Sequence, residues 1–258
     1  RIDRIVTEVG GVEQRFLWGG SCSKYDRGAA RRPLPDGMPD PFRDRERLVD
    51  AVLAGLAPAA GCPVIAFSDE FVLKGHTPLF ATFFAELGFR VDVARRAGGA
   101  VLRRGIEGGR LPYCAPMQLF HGAVFELAER RPDVLFLPLV RSIPRVDDAD
   151  AGELCPLVLG SPDVVGGVLP PEGPRVVRSV IDFDEGGYHG VRFREAMRGV
   201  AADLGAPDGW EPAFERAVTA QEGFERRCLE LGRAALERCA AEGVVPVVVH
   251  GRPYTVYN

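Results

Sequence analysis

Pro63-Val64-Ile65-Ala66-Phe67 is a short unbroken apolar run, the pattern of a strand buried on both faces as in a parallel sheet. Working outward, Thr77-Pro78 makes a fitting N-cap and first helical position, and the segment to Leu87 then reads as a helix stopped at Gly88. Arg90–Ala94 reads as the next strand and Gly99–Gly105 as a short helix. Met117–Arg131 reads as a longer helix, apolar at Leu119, Phe120, Ala123, Val124 and Leu127. Pro132-Asp133 ends it, and Val134–Leu139 follows as another buried strand. Strand–helix alternation at this spacing predicts an α/β fold. Parallel sheets flanked by helices, Rossmann/flavodoxin-like, would gather functional groups at the carboxyl ends of the strands.

The flanks are less regular. Val6–Gly20 reads as an extended ribbon, Ser21–Pro41 as a loop rich in Gly, Pro, Arg and Asp, and Asp44–Leu56 as a helix. Beyond Pro144 and the acidic loop Asp147-Asp148-Ala149-Asp150, Leu157–Leu159 and Arg175–Ile181 read as strands. Val191–Leu204 and Pro212–Glu242 read as helices, and Val244–Val249 as a closing strand. The expected organisation is an N-terminal ribbon and loop (1–45), a first α/β lobe (46–150) and a second (151–258), with a cleft between the lobes. A start at Arg1 and a stop just after Gly251-Arg252-Pro253-Tyr254, a strand-to-loop junction, read as a piece of a longer polypeptide.

Composition narrows the function. With 258 residues, 46% hydrophobic and 26% charged, the chain is of ordinary globular make-up and long enough for a sizeable core. A net charge of −4 argues against a duplex nucleic-acid binder. The runs Arg95-Arg96, Arg103-Arg104 and Arg130-Arg131 read as solvated helix faces. No apolar run approaches the roughly 20 residues of a membrane span, and no signal-peptide pattern opens the chain. A cytoplasmic protein is expected, in which thiols stay reduced.

That setting makes the 6 cysteines informative. Cys62, Cys228 and Cys239 read as structural, since free cysteine is a commonly buried residue. Cys22, Cys114 and Cys155 fall in loops, and the last two have a proline within two residues. Stiff backbone and nearby free N–H groups suit thiolate ligands of an iron–sulfur cluster. Spacing alone equally allows three unrelated thiols, as there is no Cys-x-x-Cys pair. His121 could donate to a cluster, relay a proton near it, or pack inside; Asp69-Glu70 and Asp182 read as solvated, and His76 as exposed or capping. Arg252 suits either a phosphate or carboxylate ligand or a structural ion pair.

Cys114-Ala-Pro-Met-Gln-Leu-Phe-His121-Gly122 resembles the Cys-x-Pro-x-x-x-x-His-Gly stretch in the uncharacterised domain of the CoA-substrate-specific enzyme activases, which are related to 2-hydroxyacyl-CoA dehydratase components. Phe80–Gly88, Asp133–Pro138, Cys155-Pro156 running to Pro162, and Gly251-Arg252-Pro253-Tyr254 are similar to further motifs of that family, in the same order. Arg15–Asp26 resembles its Gly-x-x-Cys stretch, although the family's upstream cysteine-rich run is absent. The resemblance implies a 4Fe–4S cluster on Cys22, Cys114 and Cys155 with His121 beside it, incomplete if the family draws a ligand from the missing run. It also implies low-potential electron transfer, and partners among dehydratase or activase components or other domains of a larger polypeptide. No phosphate loop supports ATP hydrolysis by this chain. Two alternatives remain open: a metal-free docking or scaffold domain, and a zinc site on Cys114, Cys155 and His121.

Overall fold

The computed structural model describes residues 3–9, 11–18, 37–57, 60–109, 112–145, 152–183 and 186–257. At its start, β1 (Asp3–Val9) and β2 (Val12–Trp18) form an antiparallel ribbon. It turns through Gly11 at φ 78°, a conformation that glycine adopts without steric cost. Helix α1 (Pro41–Gly55) opens with proline in its first turn and the Asp40 carboxylate accepting from the Arg43 N–H at 3.1 Å.

The expected apolar strand is β3 (Val64–Ser68), in which Ile65, Ala66 and Phe67 are fully buried. After a 3-10 turn come α2 (Thr77–Glu86), β4 (Arg90–Ala94), α3 (Gly99–Gly108), α4 (Ala115–Glu129) and β5 (Val134–Phe136). Then follow β6 (Leu139–Val140), α5 (Pro156–Gly166), β7 (Arg175–Val177) and β8 (Val180–Ile181). Strands β4, β3, β5 and β7 lie side by side in that order, every pair parallel. The α/β fold with a helix-flanked parallel sheet, consistent with a Rossmann/flavodoxin-like arrangement, is therefore the fold of this chain.

Beyond Phe136 the ladder continues. The N–H groups of Leu137, Leu139 and Arg141 donate to the carbonyls of Val177, Ser179 and Ile181 at 2.9, 3.1 and 2.8 Å. The pairs β5–β6 and β7–β8 thus act as two long strands that overreach β3 and β4. The period-two alternation of side chains sorts the core onto two faces. Ile65, Phe67, Val134, Phe136 and Val177 meet α2, α6 (Val191–Asp203) and α7 (Trp210–Ala241). Ala66, Ala94, Leu135 and Leu137 meet α4, α5 and Tyr254 of α8 (Pro253–Val256).

Two expectations are corrected. Leu157–Leu159 is not a strand but the first turn of α5. Pro156 starts that helix, and Val158, Ser161, Pro162 and Val165 are buried at helical spacing. A short apolar run cannot separate a buried strand from a buried helix by pattern alone. Val244–Val249 pairs with no described strand: Pro246 lacks an N–H, and Val245 and Val247 are 83% and 84% exposed. Residue 151, where the sequence places the start of a second lobe, lies outside the described residues; β7, beyond it, pairs with β5 in the same sheet. Among the described residues no helix is long and apolar enough to cross a membrane.

Candidate functional site

Helices α4 and α5 each lead into a strand of the parallel sheet, so both begin at its carboxyl edge. Cys114 is the N-cap of α4 and Cys155 the N-cap of α5, and neither side chain makes a capping hydrogen bond. A proline in the first turn stiffens each helix start. Cys114 is exposed and Cys155 half-buried. Two thiol groups therefore stand before the positive ends of two helix dipoles, where a negatively charged group is favoured. The Cys155 end is held by the return of the chain after β6: Ile143 N–H donates to the Gly152 carbonyl at 2.9 Å, and Leu154 N–H to the Arg141 carbonyl at 3.2 Å.

The rest of the Cys-x-Pro-x-x-x-x-His-Gly stretch places α4. His121 is buried, and its Nε2 lies 3.2 Å from the Ser161 hydroxyl on α5, so it ties the two cysteine-bearing helices together. Burial lowers its pKa to about 4, so the imidazole is neutral near pH 7. Gly122 faces α3. A Cβ there would sit 2.0 Å from the Val101 carbonyl oxygen, and one at Gly105 would sit 1.7 Å from that of Gln118. These two glycines let the helix backbones touch.

The other family motif packs at the same edge. Tyr254 is buried, with its ring 4.8 Å from Phe71, and Arg252 donates to its hydroxyl at 3.0 Å. A side chain at Gly251 would come 2.7 Å from Val256 Cγ2, which explains a glycine there.

Several polar residues read as solvated are not. Asp69 and Glu70, at the end of β3, are each about 1% exposed or less, and both approach Lys74 Nζ, at 3.3 and 3.5 Å. Burial raises both carboxyl pKa values, opposed chiefly by the Lys74 charge. Arg95 is half-buried just past β4, where it meets Asp69, Asp50 and Glu46 at 3.0, 2.7 and 2.6 Å. His76 is buried rather than exposed. It stacks on Phe183 and hydrogen-bonds the Tyr188 hydroxyl at 3.2 Å, and burial lowers its pKa to about 4. One signal was available: Ser68-Asp69-Glu70 directly continues a buried strand, so its first residues stay inside the sheet layer.

Among the described residues no group of three or more His, Cys, Asp or Glu side chains could hold a metal ion. Cys114, Cys155 and His121 thus form no such group, and the His121 ring meets Ser161. Cys22 lies outside the described residues.

Fold and site together define an α/β protein whose distinctive side chains converge on the carboxyl edge of its sheet. Residues 65–258 match the family model of the CoA enzyme activase uncharacterised domain (DUF2229), and the chain belongs to that family. No curated protein and no solved structure matches it.

Proposed function

We propose that this chain is the iron–sulfur-binding redox module of a CoA enzyme activase, with Cys114, Cys155 and Cys22 as the thiolate ligands. The observation that carries the reading is the pair of cysteines at the N-caps of neighbouring helices, each with a thiol that makes no capping hydrogen bond and a proline-stiffened start. The donor chemistry fits a cluster, which is held by thiolates and carries negative charge. Cys114 and Cys155 would be two of these ligands, and Cys22 would complete the set. A bound cluster would supply one-electron transfer at low potential.

The chain's own residues set the frame. The His121–Ser161 bond fixes α4 against α5, and the Gly105–Gly122 contact fixes α4 against α3. The first-turn N–H groups of α4 and α5 are the donors available to cluster sulfides. The natural partners are the dehydratase components that an activase serves, or further domains of the same polypeptide.

Anaerobic reconstitution of the full chain with iron and sulfide, followed by visible absorbance and iron analysis, tests the reading. Bound iron with a cluster spectrum is expected, lost in Cys114→Ser and in Cys155→Ser. A colourless, iron-free product would favour the metal-free docking domain.

A further inference from the structure

A cavity of about 570 Å³, within the size range of small-molecule sites, lies at the amino edge of the sheet. The last turns of α3 and α4 and the chain between α5 and β7 enclose it. We infer that this cavity binds an α-amino acid with a bulky apolar side chain. The inference stands apart from the cluster, because it uses no cysteine and belongs to the opposite edge of the sheet.

The floor is apolar. Phe125 of α4 and Val168 and Leu169 after α5 are half-buried and extend the core that these helices share with the sheet. Phe125 lies against Gly108 at the end of α3, where a Cβ would come 2.4 Å from its ring. The glycine therefore lets the ring reach α3 and close that side of the cavity.

The rim carries both signs of charge. Arg104 of α3 and Glu129 of α4 pair with each other. Glu107, Arg131 and Glu172 are exposed, and their side chains make no hydrogen bond or ion pair among the described residues. Two of these placements work against the local fold. Glu107 stands in the last turn of α3, which holds no basic residue, so its carboxylate faces the negative end of the helix dipole. Arg131 follows the C-cap of α4 at φ 52°, the left-handed conformation in which glycine is usual and a side chain is strained. A bound ammonium offsets the first, and a bound carboxylate pairs with the guanidinium that the second holds at the rim. A plain amine would meet Arg131 as a like charge, and a plain acid would meet Glu107 and Glu172. A ligand with both signs beside an apolar body has a partner for each wall.

The test titrates the full chain calorimetrically with L-phenylalanine, with phenethylamine and hydrocinnamate, which each lack one charge, and with glycine, which lacks the apolar body. Saturable binding of L-phenylalanine is expected, about tenfold tighter than that of any of the other three. Loss of a charged partner should weaken it by about tenfold in Glu107→Gln and in Arg131→Gly. Arg131→Gly also relieves the left-handed strain, so its thermal midpoint should rise by about 2–4 °C and its weaker binding is not a loss of folding. Arg103→Ala, at an exposed position outside the cavity, should bind as the parent does. Absence of saturable binding, either singly charged analogue binding as tightly as L-phenylalanine, or unchanged affinity in both cavity variants would each overturn the inference.

Discussion

The two halves of one sheet edge are built in opposite ways. Over β3 and β4 the edge is closed: Asp69, Glu70 and Lys74 are buried together, and the half-buried Arg95 joins Asp69 to Glu46 and Asp50 of α1. Over β5 and β7 it is open, with two helix N-caps whose thiols make no capping hydrogen bond and a polar cavity walled by Arg141, Arg145 and Arg192 beside Glu153 and Asp182. The closed half spends its charges on one another and fixes α1 to the sheet. In the open half, two helix starts come to the edge where an external group can reach them. A parallel sheet concentrates polar groups at its carboxyl edge; burial decides which of them hold the fold and which are left for ligands.

The largest expected effect comes from breaking the closed half. Lys74→Met would leave two buried carboxylates without their shared cation. Removing one partner of a buried ionic set costs about 3–5 kcal/mol, readable by denaturant unfolding near neutral pH. The pH dependence has a definite sign. Burial raises the folded-state pKa of Asp69 and Glu70 above their unfolded values, so the native state holds those protons more tightly. The penalty is therefore present above the raised pKa values and relieved as pH falls through them. The deficit of Lys74→Met relative to the parent should shrink on acidification. A constant deficit from neutral to mildly acidic pH would show that the carboxylates are not the source.

Next in size is Gly122→Ala. The new methyl would meet the Val101 carbonyl, and the α3–α4 contact must open. Overpacking of this kind costs about 1–3 kcal/mol, measured by thermal or denaturant unfolding. The same change shifts the helix that carries Cys114, so reconstituted iron should fall as well. Undiminished stability would mean that the close helix approach is unnecessary.

The tie between the cysteine-bearing helices is a smaller term. His121→Gln can keep a bond to Ser161 and should cost about 1 kcal/mol. Its signature lies in pH. The folded pKa of His121 is depressed from 6.5 to about 4, so the unfolded chain takes up the proton first. The stability held by the neutral ring is full above pH 6.5 and lost as pH falls toward about 4. His76, lowered to about 4 as well, contributes in the same window and remains in the variant. The unfolding free energy of His121→Gln should therefore fall less steeply across that window than the parent's. Equal slopes would show that His121 titrates freely.

How much of this could be read from residues alone follows the same division. The sheet was legible because Val64–Phe67 and Val134–Leu137 are apolar on both faces, a pattern that suits few environments other than a covered parallel sheet. Cys114 was legible as the residue before a helix start, because Pro116 marks the place; Cys155 was not, because the apolar run after Pro156 reads as a strand and is the first turn of α5. The buried ions were not, because Asp69-Glu70 has the composition of a turn. What buries it is a lysine one helical turn on and an arginine from the next strand. Val244–Val249 failed for the converse reason: strand composition cannot supply a partner strand.

The smallest stability effect is the sharpest test of the open half. In the metal-free chain, Cys114→Ala removes an exposed side chain that makes no capping hydrogen bond, so unfolding should change by only a few tenths of a kcal/mol. The same substitution should abolish iron retention after reconstitution, since it removes one of the two thiols placed before helix N-termini. Fold and function are then separable at this position, as they are not at Lys74. A variant that kept its iron would remove Cys114 from the ligand set, and one that lost more than about 2 kcal/mol would make it a structural residue of the α4 start.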